Sequence, residues 1–285
     1  MSAGAAVPAS VAIVGLGVMG GSLARALRAL PDPPRVLGAS PDARDLEAAR
    51  GAGVLDRASS DPDDVVGDAA LVVYAAPLEA TLGLLGRHHA TWRPGAAVTD
   101  VASLKAPVAA KVRALGAASR WVGSHPMAGA TASGFEASRP DLYRGARVWI
   151  CAGDADPPAV KAVEALWRAL GAEPVATDAA EHDRLMTWAS HLPQLAANAL
   201  ALALEEAGVA PESLGPGGRD ATRLAGSAPS MWRDLLSAAG ASDAAALRAL
   251  AGHLAGLAES LERGDASSVA ERMERTRRWH GGGAP

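Results

Sequence analysis

Val11-Ala-Ile-Val14-Gly15-Leu-Gly17-Val-Met19-Gly20 decides the fold. A short aliphatic run ends in G-x-G-x-x-G, and a helical pattern follows at once, with Leu23, Leu27 and Leu30 on one face and Pro31 as the stop. The motif alone is weak in a glycine-rich chain. Placed after a strand, at the start of a helix and at the head of a strand-helix-strand unit, it points to a dinucleotide. Gly15 allows the tight turn, Gly17 lets the backbone approach a pyrophosphate, and Gly20 lets helix and strand pack closely. The helix start then offers free N–H groups and its positive dipole end to the phosphates. Gly15, Gly17, Met19 and Gly20 are the expected cofactor contacts of this loop.

Working outward, strand-like runs recur at Arg35–Ser40, Ala70–Tyr74, Ala96–Thr99, Arg120–Gly123, Arg147–Ile150 and Glu173–Thr177, with helical segments between them. Strands alternating with helices imply an α/β domain, a Rossmann-like doubly wound parallel sheet, over residues 1–178. From residue 179 to 285 the texture is helical. Leu192 to Leu204 is apolar on nearly every side, and Leu247 to Leu261 has helical spacing. A helix apolar all round must be covered on all sides. A domain of about 100 residues has little interior, so a second copy of the chain is expected to cover it, giving a homodimer through an all-helical C-terminal domain.

The chain has 285 residues, 49% hydrophobic and 20% charged, with a net charge of −4. That composition suits one large or two ordinary folded domains and excludes a disordered chain. No basic surplus points to nucleic acid or an anionic membrane. The single cysteine, Cys151, excludes an internal disulfide and any multi-cysteine metal site, and its apolar neighbours imply a buried structural thiol. Residues 1–24 carry no charge, but a secretory signal needs a basic start and an unbroken apolar stretch. Pro8 and the glycines break the run before it could span a bilayer. A cytoplasmic chain that binds neither metal nor membrane is the expectation.

The end of the second strand usually carries an acidic residue for the ribose 2′-hydroxyl of NAD. Here stand Ser40, Pro41, Asp42 and Arg44. Ser40 and Arg44 suit a 2′-phosphate and Asp42 opposes it, so the cofactor is NAD or NADP with a slight lean to NADP.

Three stretches suggest chemistry. Thr99-Asp100-Val-Ala-Ser103-Leu-Lys105 and Gly123-Ser-His125-Pro-Met-Ala-Gly129 each follow a strand, at the edge where doubly wound sheets place ligands. Downstream come Ser190-His191-Leu-Pro-Gln194, which interrupts a helical run, then Gly218-Arg219-Asp220-Ala-Thr222-Arg223 and Met231-Trp232-Arg-Asp234. In order and spacing these resemble the prephenate dehydrogenases and their arogenate-using relatives, across nearly the whole chain. The resemblance implies an oxidative decarboxylation in tyrosine biosynthesis, in which prephenate gives hydride to NAD(P), loses carbon dioxide and becomes 4-hydroxyphenylpyruvate. It implies His125 as acceptor of the ring-hydroxyl proton and Ser103 as the group orienting that hydroxyl. Arg223 would hold a substrate carboxylate, a task suited to a guanidinium fork. Ser190 and His191 would line the pocket.

The sequence departs from the family at Gln194, where a second histidine is common, at Thr131, where an acidic residue is common, and at Gly218, where an aromatic is common. Thr131 favours prephenate, because an acidic group there would suit the ammonium of arogenate. Gln194 tilts the other way. Simpler roles stand beside these: Arg223 paired to Asp220 or Asp234, Ser190 and His191 capping a break at Pro193, Trp232 in a core or subunit contact, and His88-His89 as solvated loop. A β-hydroxyacid dehydrogenase would want a catalytic lysine in the helical domain, whereas Lys105, Lys111 and Lys161 all precede it. A nicotinamide-binding sensor without turnover is the other rival. No appended regulatory or mutase domain is expected after the helical region.

Overall fold

A computed structural model describes residues 6–129 and 132–281. Five parallel strands, β1 (Ser10–Val14), β2 (Arg35–Ala39), β3 (Arg57–Ser59), β4 (Leu71–Tyr74) and β5 (Ala97–Asp100), pair in the order β3-β2-β1-β4-β5. Helices α1 (Val18–Arg28), α2 (Ala43–Gly51), α3 (Asp63–Val66), α4 (Leu78–His88) and α5 (Ala106–Ala114) alternate with them. Every residue of β1 and β4 is buried, as expected of parallel strands covered on both faces. Leu23 and Leu27, one helical turn apart, bury α1 against Ile13, Val36 and Val73.

Beyond β5 the sheet departs from the all-parallel expectation. Strands β6 (Gly123–Pro126), β7 (Arg147–Cys151) and β8 (Glu173–Ala176) form a second sheet in which β7 runs antiparallel to β6 and parallel to β8. No crossover helix lies between β6 and β7 among the described residues, so the chain returns antiparallel. Helix α6 (Pro157–Ala169) carries it across to β8. A parallel bridge between Val98 and Trp121 joins the two sheets, and it aligns the carboxyl end of β6 with that of β5.

The remaining elements are α7 (Ala179–Met186), a π-helical turn at Thr187–His191, α8 (Leu192–Glu206), α9 (Pro216–Thr222), α10 (Pro229–Glu262) and α11 (Ala266–His280). The chain forms two compact units, one ending at Met186 and taking in Ser227–Ala238, the other made of Thr187–Gly226 and the residues from Ala239 on. Helix α7 thus groups with the sheet, eight residues past the boundary read from sequence. The reason is polar: Asp183 accepts the amides of Lys105 and Ala106, and His182 meets His125.

In the helical unit Leu200 and Leu202 of α8 stay exposed, as do Leu254 (59%) and Leu261 (64%) of α10 and Trp279 (77%) of α11. Among the described residues no helix is long and apolar enough to cross a membrane, and no cluster of three or more His, Cys, Asp or Glu could hold a metal.

Candidate active site

The turn after β1 is built as its glycines demand. Gly15 has φ +100°, and a Cβ there would lie 2.4 Å from the Ala75 carbonyl oxygen. A Cβ on Gly20 would lie 1.8 Å from the Gly15 oxygen, so only hydrogen fits between α1 and the turn. At Gly17 a Cβ would meet nothing within 4 Å. The space over that backbone is open, as a pyrophosphate needs.

This turn forms one wall of a cavity of about 940 Å³, also lined by Ser40, Asp61, Ala75 and Arg87. The dimensions and the free helix start fit a dinucleotide. Met19 and Arg44 are not among the lining residues. The Met19 carbonyl instead accepts the Tyr143 hydroxyl at 2.7 Å, and the Arg44 amide donates to Asp42, which caps α2. The lining cation is Arg87, held by Asp61 and Asp63. Ser40 is buried and its hydroxyl accepts the Asp42 amide.

At the carboxyl end of β5, Asp100 and Lys105 are both fully buried and ion-paired to each other. Asp100 also accepts Trp121 Nε1 at 2.9 Å and the Ala102 amide at 3.0 Å. Lys105 Nζ donates to the Ser124 carbonyl at 2.8 Å. These bonds pin the loop carrying Ser103 to the strand carrying His125. Ser103 itself is exposed.

His125 lies inside β6, opposite Trp149, rather than in a loop after the strand as the sequence suggests. It is half-buried, with Nδ1 2.9 Å from Nε2 of the fully buried His182. His182 Nδ1 is 2.7 Å from Asp183 Oδ1. Sequence reasoning passed over His182 and Asp183, whose adjacent His-Asp pair just beyond β8 was the available signal.

In the second unit, His191 is buried and its Nδ1 lies 2.9 Å from Asp243 Oδ1. Ser190 and His191 belong to the π-helical turn. Gln194 donates to Asn198 Oδ1 and to the Leu224 carbonyl, each at 2.8 Å, which tethers the turn bearing the exposed Arg223 to α8. Thr131 lies outside the described residues.

Two other sequence readings meet the structure here. His88 is not solvated: it is fully buried, its Nδ1 2.9 Å from the Tyr74 hydroxyl and its Nε2 2.9 Å from Asp63. Burial is the main cause that lowers its pKa. Cys151 is buried, and burial pushes its thiol up to about 12.

Two family models match the chain: prephenate dehydrogenase, nucleotide-binding domain, over residues 23–176, and prephenate dehydrogenase, dimerization domain, over residues 178–275. The chain belongs to the prephenate dehydrogenase family. Within the family it is 32% identical to the prephenate dehydrogenase of Bacillus subtilis over 238 residues, covering 80% of this chain and 63% of that one. The chain thus spans less than two thirds of that relative's length. It is 31% identical to the cyclohexadienyl dehydrogenase of Zymomonas mobilis, covering 79% of each. Prephenate dehydrogenase from A. aeolicus, solved with hydroxyphenyl propionate and NAD+, superposes with a TM-score of 0.85 at 27% identity, covering 94% of this chain and 96% of that one.

Proposed function

We propose that the chain catalyses the NAD(P)-dependent oxidative decarboxylation of prephenate to 4-hydroxyphenylpyruvate. The observation that carries this reading is His125 at the carboxyl end of β6, in the same compact unit as the glycine turn and locked to the Ser103 loop through Lys105. Family membership supports it. Gly15, Gly17 and Gly20 would hold the dinucleotide, which when bound accepts the hydride of the hydroxyl-bearing ring carbon.

The side chains of this protein supply the rest. Neutral His125 takes the hydroxyl proton as the carbon–hydrogen bond breaks. Ser103 orients the hydroxyl towards that imidazole. The carbon–carbon bond to the ring carboxylate then breaks, and its electron pair enters the ring, which becomes aromatic. The ring oxygen ends as a phenol, so the proton held by His125 returns to it and no net proton is released. Aromatisation drives the reaction, and the protein has chiefly to orient the reactants. Arg223 would bind a carboxylate of the dianion, with Gln194 holding its turn in place, and Ser190 and His191 would add substrate contacts.

At the 2′ position of the cofactor, Ser40 places no carboxylate against a phosphate and Arg87 adds a cation, which supports NADP. Asp61 and Asp63, paired to that cation, support NAD. The exposed aliphatic residues of α8 and α10 support a homodimer through the helical unit.

One grid of assays tests the reading: purified protein with prephenate or arogenate, each with NAD or NADP, following reduced nicotinamide. Prephenate turnover with carbon dioxide release is the expected result, and reduction with arogenate alone would assign the other cyclohexadiene. His125→Asn should lower kcat by about 10²–10⁴-fold with dinucleotide affinity unchanged. Unchanged turnover in that variant removes His125 from the mechanism.

A further inference from the structure

We propose that His182 and Asp183 are positioning residues that fix the tautomer of His125 and share the positive charge it gains in turnover; the proposal rests on His125 being the proton acceptor. Three residues fall in line. His125 Nδ1 is 2.9 Å from His182 Nε2, and His182 Nδ1 is 2.7 Å from Asp183 Oδ1. Asp183 also takes the amide hydrogens of Lys105 and Ala106 at 2.8 and 2.9 Å.

With both imidazoles neutral, the hydrogens along this line have one consistent arrangement. Backbone amides only donate, and two of them aim at the two oxygens of Asp183 from the start of α5, where the helix dipole favours negative charge. As a carboxylate, Asp183 only accepts. His182 must carry its hydrogen on Nδ1 to donate to it. A neutral imidazole with hydrogen on Nδ1 has its lone pair on Nε2, so the 2.9 Å contact requires hydrogen on His125 Nδ1. That leaves the His125 lone pair on Nε2, the form able to take a proton from a hydroxyl. The rings meet at 75° with centroids 5.0 Å apart, an edge-on approach that points an N–H at a lone pair rather than stacking two faces.

The same line serves the charged form. When Nε2 gains the substrate proton, the imidazolium donates through Nδ1 to His182, whose far side faces a carboxylate. His182 is fully buried, so bulk water does not screen the interaction. The role matches that of the aspartate in a Ser-His-Asp triad, which sets the histidine tautomer and stabilises its cation. Here one imidazole is interposed. Because Asp183 also holds the first amides of α5, the loop bearing Ser103 and the ring of His125 share one anchor.

The test starts from the unliganded wild-type protein and so does not depend on turnover. Nitrogen-15 NMR of histidine-labelled protein at about pH 8, above the ordinary imidazole range, should show His125 with its hydrogen on Nδ1 and none on Nε2. Its signals are assigned by their loss in His125→Asn. In Asp183→Asn the side-chain amide can donate to His182 Nδ1, which reverses the line. His125 should then carry hydrogen on Nε2, and kcat should fall about 10²–10⁴-fold. His182→Gln can offer an oxygen to His125 and a hydrogen to Asp183, so it should keep the tautomer and lose at most about tenfold. His182→Leu should lose the tautomer bias and about 10²-fold or more in kcat, with dinucleotide Kd unchanged. Wild-type spectra with hydrogen on His125 Nε2, or wild-type kcat in His182→Leu, overturn the proposal. The expected tautomer in a protein that turns over neither cyclohexadiene supports the geometry and overturns the functional reading instead.

Discussion

Gly17→Ala and Gly20→Ala, two substitutions of one hydrogen by one methyl three residues apart, should separate binding from folding. At Gly20 the new carbon would sit 1.8 Å from the Gly15 oxygen and 3.0 Å from the Ile13 side chain. Ordinary contact begins at about 3.5 Å, so α1 would have to back away from the turn by more than an ångström. Overpacking of this kind costs about 1–3 kcal/mol or more, and Tm should fall by about 2–4 °C per kcal/mol. At Gly17 nothing stands within 4 Å, and the backbone is already extended at φ −64° and ψ −160°. Alanine there loses some capping and gains about 0.4–1 kcal/mol from a less disordered unfolded chain. Its Tm should stay within about 2 °C of wild type. The methyl nevertheless points into the space assigned to the pyrophosphate, and dinucleotide Kd should rise at least about tenfold, or ~1.4 kcal/mol. Titration calorimetry with NAD and NADP, beside thermal melts, reads both quantities. Wild-type Kd in Gly17→Ala would falsify the cradle assignment, because the methyl leaves the turn itself undisturbed.

The other expectations concern charge, substrate and exposure. Lys105→Met leaves Asp100 buried without its cation and should cost about 3–5 kcal/mol, seen as a lower urea midpoint; an unchanged midpoint would mean the pair contributes nothing to the fold. Arg223→Ala should raise the KM for prephenate about 10–100-fold with a smaller change in kcat, as loss of a charged hydrogen bond predicts. A normal KM would place the substrate carboxylates elsewhere. Burial lowers the His88 pKa, so the unfolded chain binds a proton that the folded chain refuses. Stability should therefore decline as pH falls below about 6.5, the unfolded value, and His88→Gln should flatten that decline in melts run across pH. Cys151, with its thiol pushed up to about 12 by burial, should ignore a disulfide reagent at neutral pH until denaturant is added; prompt reaction in buffer would contradict its burial.

What the sequence could disclose depended on how local the cause was. The glycine turn is legible because Gly15 and Gly20 answer clashes within a few residues and one neighbouring strand. The helical texture after β8 is legible for the same reason. His125 was found as a residue but misplaced as a loop, since Gly-Ser-His-Pro has turn chemistry and only the pairing with β7 makes it strand. The antiparallel course of β7 likewise depends on which segment lacks a crossover helix. His88 misled because two histidines beside Gly86 and Arg87 look solvated, whereas the turn of α4 aims one of them at Tyr74. The His182 and Asp183 contacts were hidden most completely. They join residues 57 and 78 positions apart, and no periodicity encodes that meeting.

The aliphatic side chains left uncovered on α8 and α10, with Trp279 on α11, have a consequence for anyone who handles this protein dilute. If the proposed homodimer covers that surface, folding is tied to mass action and the midpoint of a melt becomes a function of concentration. Nanomolar kinetic assays and micromolar spectroscopy would then sample different populations. A specific activity that sags on dilution would report the loosening of two chains rather than any failure of the catalytic groups.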